Sequence, residues 1–195
     1  MNTNKITTRY WILSLAVYFL LAINLTQAQE YNLSNGESSL TVYGTSSLHD
    51  WHVEAEKQNG KISFTNVLDC QINTINVEIE AESLKSGKSS MDKNTYKALN
   101  TDKFKTISYQ LAEVKNVTNK GNGTFSVTTM GDLTISGTKK RVTLDFTVNV
   151  SDSKIKLTGE KKIKMTDFNI EPPKALFGTI TTGDDITIKF STIFK

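Results

Sequence analysis

The chain has 195 residues but only one cysteine, Cys70, and two histidines, His49 and His52. A single cysteine cannot form an internal disulfide, and it cannot build a cysteine-based zinc site. Two histidines are also too few for a metal centre with many histidine ligands. We therefore expect no cofactor and no bound metal, and we interpret Cys70 as a small, buried apolar residue.

Arginine is almost as scarce, because Arg9 and Arg141 are the only two among 23 basic residues. Lys5 and Arg9 lie in the N-terminal segment, and without them 21 basic residues face 20 acidic ones. Proteins that bind nucleic acid concentrate basic residues on one face and use arginine for bidentate contacts. The composition therefore argues against a nucleic-acid partner.

Long hydrophobic runs are absent outside residues 10–25, which follow Lys5 and Arg9 and precede Thr26-Gln27-Ala28. A basic start, a short apolar stretch and a small-residue exit are typical of a secretory signal peptide. A spanning helix needs about 20 apolar residues, so a membrane anchor is the weaker alternative. We predict a signal peptide at residues 1–28 and one mature domain, residues 29–195. The mature protein would be periplasmic or secreted, with no integral membrane segment after cleavage.

Proline occurs only at Pro172 and Pro173, so no candidate strand is interrupted by one. The mature chain instead shows apolar residues at every second position, which is typical of strands with one buried face. Two segments, residues 141–150 and 74–81, show this pattern most clearly. Their apolar positions are Val142, Leu144, Phe146, Val148 and Val150, and Ile75, Val77, Ile79 and Ala81.

One helix and several turns complete the predicted organisation. Residues 90–100 have helical spacing, and Ser89 or Ser90 could cap their N-terminus. The turn signals are at residues 58–60, 119–123, 137–139 and 151–153, and Asp184-Asp185 is interpreted as a turn before the last strand.

The predicted fold class is all-β, with about eight antiparallel strands and one short helix. A sheet with one apolar face buries it either by closing into a barrel or by packing as a sandwich. The spacing alone does not choose between these two architectures. Exposed edge strands would also make a homodimer possible.

Four segments, in order along the chain, resemble motifs of the YceI-like family of secreted β-barrel proteins. They are residues 44–51 (GTSSLHDW), residues 91–105 with the helix and the Asp102–Phe104 element, residues 131–140 (GDLTISGTKK) and residues 165–170 (MTDFNI). In the last segment Asn169 stands where the family has a glycine. The resemblance extends over nearly the whole mature chain.

The resemblance implies an extended lipocalin-like antiparallel barrel with a hydrophobic cavity. It also implies that the protein binds a long apolar chain, a polyisoprenoid or another lipid, in the bacterial periplasm. The family has no agreed catalytic residues, so the resemblance assigns none to this chain.

We predict that the apolar inner face lines the ligand site. The predicted ligand-binding residues are Trp51, Phe64, Val77, Ile79, Phe125, Leu144, Phe146 and Phe168. Tyr43, Tyr109 and Phe177 belong to the same set of mostly inward aromatic residues. The alternative is that these side chains fill a solid core without a cavity.

Two charged clusters allow other interpretations. If the protein were instead an enzyme acting on a lipid inside the barrel, His49, Asp50 and His52 would be its titratable candidates. Asp50, His52 and Glu54 are interpreted as part of a solvated outer face, with a metal-binding stripe on one strand face as the alternative. The lysines of residues 154–164 are interpreted as a solvated face, with attraction to anionic lipid headgroups as the alternative.

The outward Thr, Asn, Glu and Lys residues argue against an outer-membrane barrel.

Overall fold

The structure is a computed structural model that describes residues 28–151, 153–175 and 178–195. The predicted signal peptide, except for Ala28, lies outside the described residues. Asp152, in the predicted turn at residues 151–153, and Phe177, in the predicted aromatic set, also lie outside them.

The described residues form one curled antiparallel sheet of twelve strands, which confirms the predicted all-β class. Eight strands have eight residues or more, and four are shorter. The strands are β1 (Gln29–Asn32), β2 (Ser39–Ser46), β3 (Trp51–Ala55), β4 (Gln58–Asn66), β5 (Gln71–Glu80), β6 (Leu84–Lys85), β7 (Thr106–Gly121), β8 (Thr124–Ile135), β9 (Thr138–Ser151), β10 (Lys154–Lys164), β11 (Lys174–Ala175) and β12 (Ile180–Phe194).

The curled sheet closes into a barrel where its first strands meet β12. Its strand order is β1-β4-β5-β7-β8-β9-β10-β12-β2-β3-β6, with β11 paired to β12. At one end of the barrel, residues 32–34 lie between β4 and β12. Leu33 N donates to Gly60 O at 2.8 Å, and Asn32 N donates to Lys195 O at 2.7 Å. Closure removes the exposed edges that an open sheet would present.

One α-helix, α1 (Ser89–Leu99), connects β6 to β7, as the helical spacing predicts. The predicted serine cap is wrong, because Lys88 occupies the cap position without a side-chain hydrogen bond. Asp92 Oδ1 instead accepts hydrogen bonds from Ser86 N and Ser86 Oγ at 2.8 and 2.6 Å. Among the described residues, no helix combines the length and apolar character that a membrane crossing requires.

The predicted turns have different outcomes. The turn before β8 lies at Asn122 and Gly123, which have positive φ, so residues 119–121 of the predicted segment 119–123 are strand. The turn between β8 and β9 lies at Ser136 and Gly137, so most of the predicted segment 137–139 is strand. The turn at residues 58–60 is wrong, because these residues begin β4. Gly60 is needed there because a Cβ would collide with the Asn76 carbonyl on β5.

The barrel interior is tightly packed where residues 32–34 close it. The buried residues of this packed end are Ile62, Phe64, Cys70, Ile75, Phe125, Val127, Phe146, Val148, Ile155, Leu157 and Phe194. Phe146 and Val148 confirm the predicted inner face of β9. Cys70 is fully buried, as expected for an apolar role, and burial raises the pKa of its thiol to about 11.

An ion cluster on the outside joins three parts of the chain at the same end. Glu37 forms ion pairs with Lys154 at 2.9 Å and with the C-terminal residue Lys195. Hydrogen bonds from Lys154 and Lys195 lower the pKa of the Glu37 carboxyl to about 2. Glu37 therefore stays ionised over nearly the whole pH range, and the cluster supports closure next to the backbone hydrogen bonds.

We predict that Phe64→Ala lowers the free energy of unfolding by about 3–5 kcal/mol, because it opens a void in the packed end. The matched control is Leu68→Ala, since Leu68 lies in the following turn with 77% of its surface exposed. We expect that change to stay within about 0.5 kcal/mol. Urea unfolding followed by circular dichroism measures both, and equal stabilities would contradict the assignment of the packed end.

Candidate functional site

A cavity of about 420 Å³ lies inside the barrel, between the packed end and helix α1. Residues of ten strands and of helix α1 line it. The strand residues that form most of its wall are Leu40, Val42, Trp51, Val53, Val77, Ile79, Ile107, Tyr109, Leu133, Val142, Leu144, Phe146, Ile163, Ile186, Ile188 and Phe190. The wall is therefore mainly aliphatic and aromatic, which favours an apolar guest over water.

Six of the eight predicted ligand-binding residues border this cavity: Trp51, Val77, Ile79, Leu144, Phe146 and Phe168. Phe64 and Phe125 do not, because they belong to the packed end, where they are 1% and 3% exposed. Phe64 lies edge-on to Tyr31 of β1, with ring centroids 6.0 Å apart. The interior is thus partly solid core and partly cavity, and a role in binding remains a prediction for the six residues.

Trp51 is held at the cavity by the loop between β2 and β3. Its indole packs across Gly44, which leaves no room for a Cβ at that position. The indole Nε1 donates a hydrogen bond to Thr45 O at 2.9 Å. Ser46 Oγ fixes the loop by donating to His49 O at 2.7 Å. These contacts give residues 44–51 a defined local structure.

Tyr109 brings a hydroxyl group to the cavity wall without leaving it unpaired. The hydroxyl is 2.9 Å from Thr129 Oγ1, and Thr129 Oγ1 donates to Leu144 O at 3.2 Å. Burial raises the pKa of Tyr109 above its usual value, so this part of the wall is uncharged at neutral pH. Gly131 makes room for the ring, because a Cβ there would collide with it.

Helix α1 covers the end of the cavity opposite the packed end. Its Met91, Thr95, Ala98 and Leu99 line the cavity, yet none of its residues is fully buried. Side-chain hydrogen bonds to neighbouring backbone hold it in place. Tyr96 Oη donates to Glu82 O at 2.8 Å. Ser136 Oγ, in the turn after β8, donates to Leu99 O at 2.9 Å.

The segment after β10 brings Phe168 to the wall. The 3₁₀ helix Thr166–Phe168 is followed by Asn169, which has the left-handed φ of 58° that favours glycine. Asparagine tolerates this conformation better than most residues, so the turn is kept although Asn169 stands where the family has glycine. Asn169 Nδ2 also donates to Thr138 Oγ1 at 3.1 Å.

Asp184 anchors this segment, a role that sequence reasoning did not find. It accepts hydrogen bonds from Thr166 N at 2.9 Å and Thr166 Oγ1 at 2.7 Å, and these bonds lower the pKa of its carboxyl. The predicted turn at Asp184-Asp185 is wrong, because both residues lie within β12. The pairing of β12 with β2 shifts register between Thr182 and Ile186, so the two aspartates lie at an irregular part of the strand.

The histidine cluster is divided between two locations. His49 borders the cavity from the loop before β3, with Nδ1 2.8 Å from Asp50 O. His52 lies on the outer face of β3, and its Nε2 is 3.9 Å from Glu54 Oε1. The described residues contain no group of three potential metal-binding side chains.

The prediction that Tyr43 belongs to the inward aromatic set is wrong. It lies on the outer face of β2, 43% exposed, with its ring centroid 5.9 Å from that of His52. Leu40 and Val42 occupy the cavity face of the same strand, so strand alternation places Tyr43 outside.

The lysines of β10 also divide between the two faces. Lys154, Lys156, Lys162 and Lys164 are exposed, as the solvated-face interpretation requires. Lys161 differs, because it is only partly exposed and lines the cavity. The interpretation of all five lysines as one solvated face is therefore wrong at this position.

A family model described as "YceI-like domain" matches residues 31–194. A search of curated proteins finds no match.

Solved structures show the same fold. BcnA of Burkholderia cenocepacia has a TM-score of 0.66 at 17% identity, over 83% of this chain and 98% of that one. A polyisoprenoid binding domain of Saccharophagus degradans has a TM-score of 0.66 at 13% identity, over 85% and 97%. The YceI protein of Campylobacter jejuni has a TM-score of 0.55 at 19% identity, over 71% and 80%.

We predict that Gly44→Ala displaces the Trp51 indole and breaks its hydrogen bond to Thr45 O. The expected cost is about 1–3 kcal/mol of unfolding free energy, as for other overpacked sites, together with a shift in tryptophan emission. Gly36→Ala is the control, because no atom lies within 4 Å of a Cβ at that position. Unchanged emission and stability for Gly44→Ala would show that Trp51 does not pack as described.

Proposed function

The chain belongs to the YceI-like domain family, and from this premise we propose that it is a periplasmic binding protein for a long apolar chain. The guest would be a polyisoprenoid or another lipid, held within the barrel and shielded from water. The observation that carries this proposal is the cavity of about 420 Å³ with its predominantly apolar wall.

The size and chemistry of the cavity fit such a guest. Ligand sites usually enclose about 300–1,000 Å³, and the cavity falls within that range. Each buried methylene contributes about 0.8 kcal/mol, so eight of them contribute about 6 kcal/mol before binding costs. Useful affinity therefore needs no charged group and no catalytic residue.

The Saccharophagus degradans protein that shares this fold is a polyisoprenoid binding domain. At 13% identity this likeness shows the fold alone. The cavity adds independent support, because six of the predicted ligand-binding residues contribute to its wall. A polyisoprenoid or fatty-acid-like chain is therefore the guest that we propose.

Periplasmic location is supported by the sequence of residues 1–28. We predict that the mature protein begins at Gln29, because Thr26-Gln27-Ala28 forms a small-residue exit after the apolar run. N-terminal sequencing and the intact mass of the exported protein measure this directly. Recovery of the full-length chain in the membrane fraction would contradict the proposal of a cleaved signal peptide.

We predict that Val77→Trp reduces the lipid that co-purifies with the protein at least several-fold, because the larger side chain occupies the cavity. Glu78→Trp is the matched control, since Glu78 is the next residue of β5 and lies on the exposed face. The measurement is mass spectrometry of organic extracts from natively purified protein. A folded Val77→Trp protein with unchanged lipid, or a wild type that carries and binds none, would contradict the proposal.

A further inference from the structure

The side chains that line the cavity carry charge of one sign only. Lys88, Lys161 and Lys174 are among them, whereas none of the lining residues in the described part of the chain is Asp or Glu. Lys88 and Lys174 belong to a connection and a short strand and are exposed. Lys161 is different, because it belongs to the wall of the barrel.

The alternation of β10 fixes the direction of Lys161. Leu157 and Ile163 are buried on the inner face, and Lys161 shares their parity. Glu160 and Lys162, on either side, are exposed on the outer face. Lys161 also pairs with Ile188 of β12, another residue of the cavity wall.

The pairing of β9 with β10 ends directly before this lysine. The last paired residues are Phe146 and Gly159, and Lys161 is the next inward position on β10. Leu144 is the next inward position on β9, and it also lines the cavity. Lys161 therefore lies just beyond the end of the β9–β10 pairing and opposite the apolar residue Ile188 of β12.

Within the described ranges of the chain, Lys161 has no ion pair and no side-chain hydrogen bond. Two other lysines of the same strand do have partners: Lys154 pairs with Glu37 at 2.9 Å and Lys164 with Asp185 at 3.0 Å. Removing a charge from water without a partner costs free energy. Lys161 is partly buried and lines the cavity without a partner among the described residues, so it is well placed to receive a negatively charged group.

We propose that Lys161 binds the anionic head of the guest, so that the ligand is an apolar chain ending in a carboxylate or phosphate. This inference rests on the proposed function, because it names the head of the same guest. Charge complementarity supports it, since the lining supplies only cations. A charge-assisted hydrogen bond from Lys161 to an oxyanion would also be strong in this partly desolvated place.

The test compares two ligands of equal chain length that differ in their heads. Delipidated mature protein is titrated with palmitate and with hexadecan-1-ol, and Trp51 fluorescence reports binding. Trp51 is the single tryptophan of residues 29–195 and lines the cavity. We expect wild-type protein to prefer palmitate about tenfold, the size of effect that one hydrogen bond to a charged group provides.

Three substitutions locate the origin of that preference. Lys161→Met removes the charge but keeps an unbranched side chain, and we expect palmitate affinity to fall about tenfold while hexadecan-1-ol affinity is unchanged. Lys162→Met is the matched control on the outer face and should keep the preference. Lys161→Arg keeps the charge and should also keep the preference, which provides a second test if Lys161→Met does not fold.

The outcomes separate the two proposals. If wild-type protein binds neither probe, the proposed function itself is wrong. If both probes bind but Lys161→Met keeps the preference for palmitate, or Lys161→Arg loses it, the assignment of Lys161 is wrong. Hexadecyl phosphate should behave like palmitate, whereas acetate and inorganic phosphate should not compete at equal concentration. Competition by these free anions would overturn the head-group assignment.

Discussion

The hydrogen bonds between residues 32–34 and two strands are the constraint on which the interior depends. Asn32 and Lys195 exchange two backbone hydrogen bonds of 2.7 and 2.8 Å, and Leu33 N donates to β4. A sheet with one apolar face is stable only if that face is enclosed. Joining β4 to β12 through this short segment turns a curled sheet into a barrel, and only then does the inner face become an interior.

Closure does not determine whether the interior is filled, because that depends on side-chain size along the barrel axis. At the closing segment, the large rings of Phe64, Phe125 and Phe194 are buried and leave no cavity. Towards α1 the wall includes smaller side chains, such as Val77 and Val142, and the cover is a helix without buried residues. The packed end holds the fold together, and the other half can accommodate a guest.

Strand alternation in the sequence predicted the fold class and the inner face of β9, because a period of two is a direct consequence of strand geometry. It does not predict depth along the barrel, so it does not separate Phe64 and Phe125 of the packed end from Leu144 of the cavity wall. Gly60 suggested a turn, whereas it permits close approach to β5. The clustering of lysines in β10 predicts one solvated face, whereas the position parity of Lys161 with Leu157 and Ile163 places it inside.

An apolar cavity in a protein of this size links ligand binding to folding. Side chains around an unfilled space lack contact partners, so they contribute less dispersion energy than the residues of the packed end. A guest that binds only the folded barrel stabilises it, by about 2.7 kcal/mol at a hundredfold excess over Kd. The wall formed by Val77, Leu144 and Ile188 can therefore remain loosely packed without its ligand, because Phe64, Phe125 and the closing hydrogen bonds already stabilise the barrel.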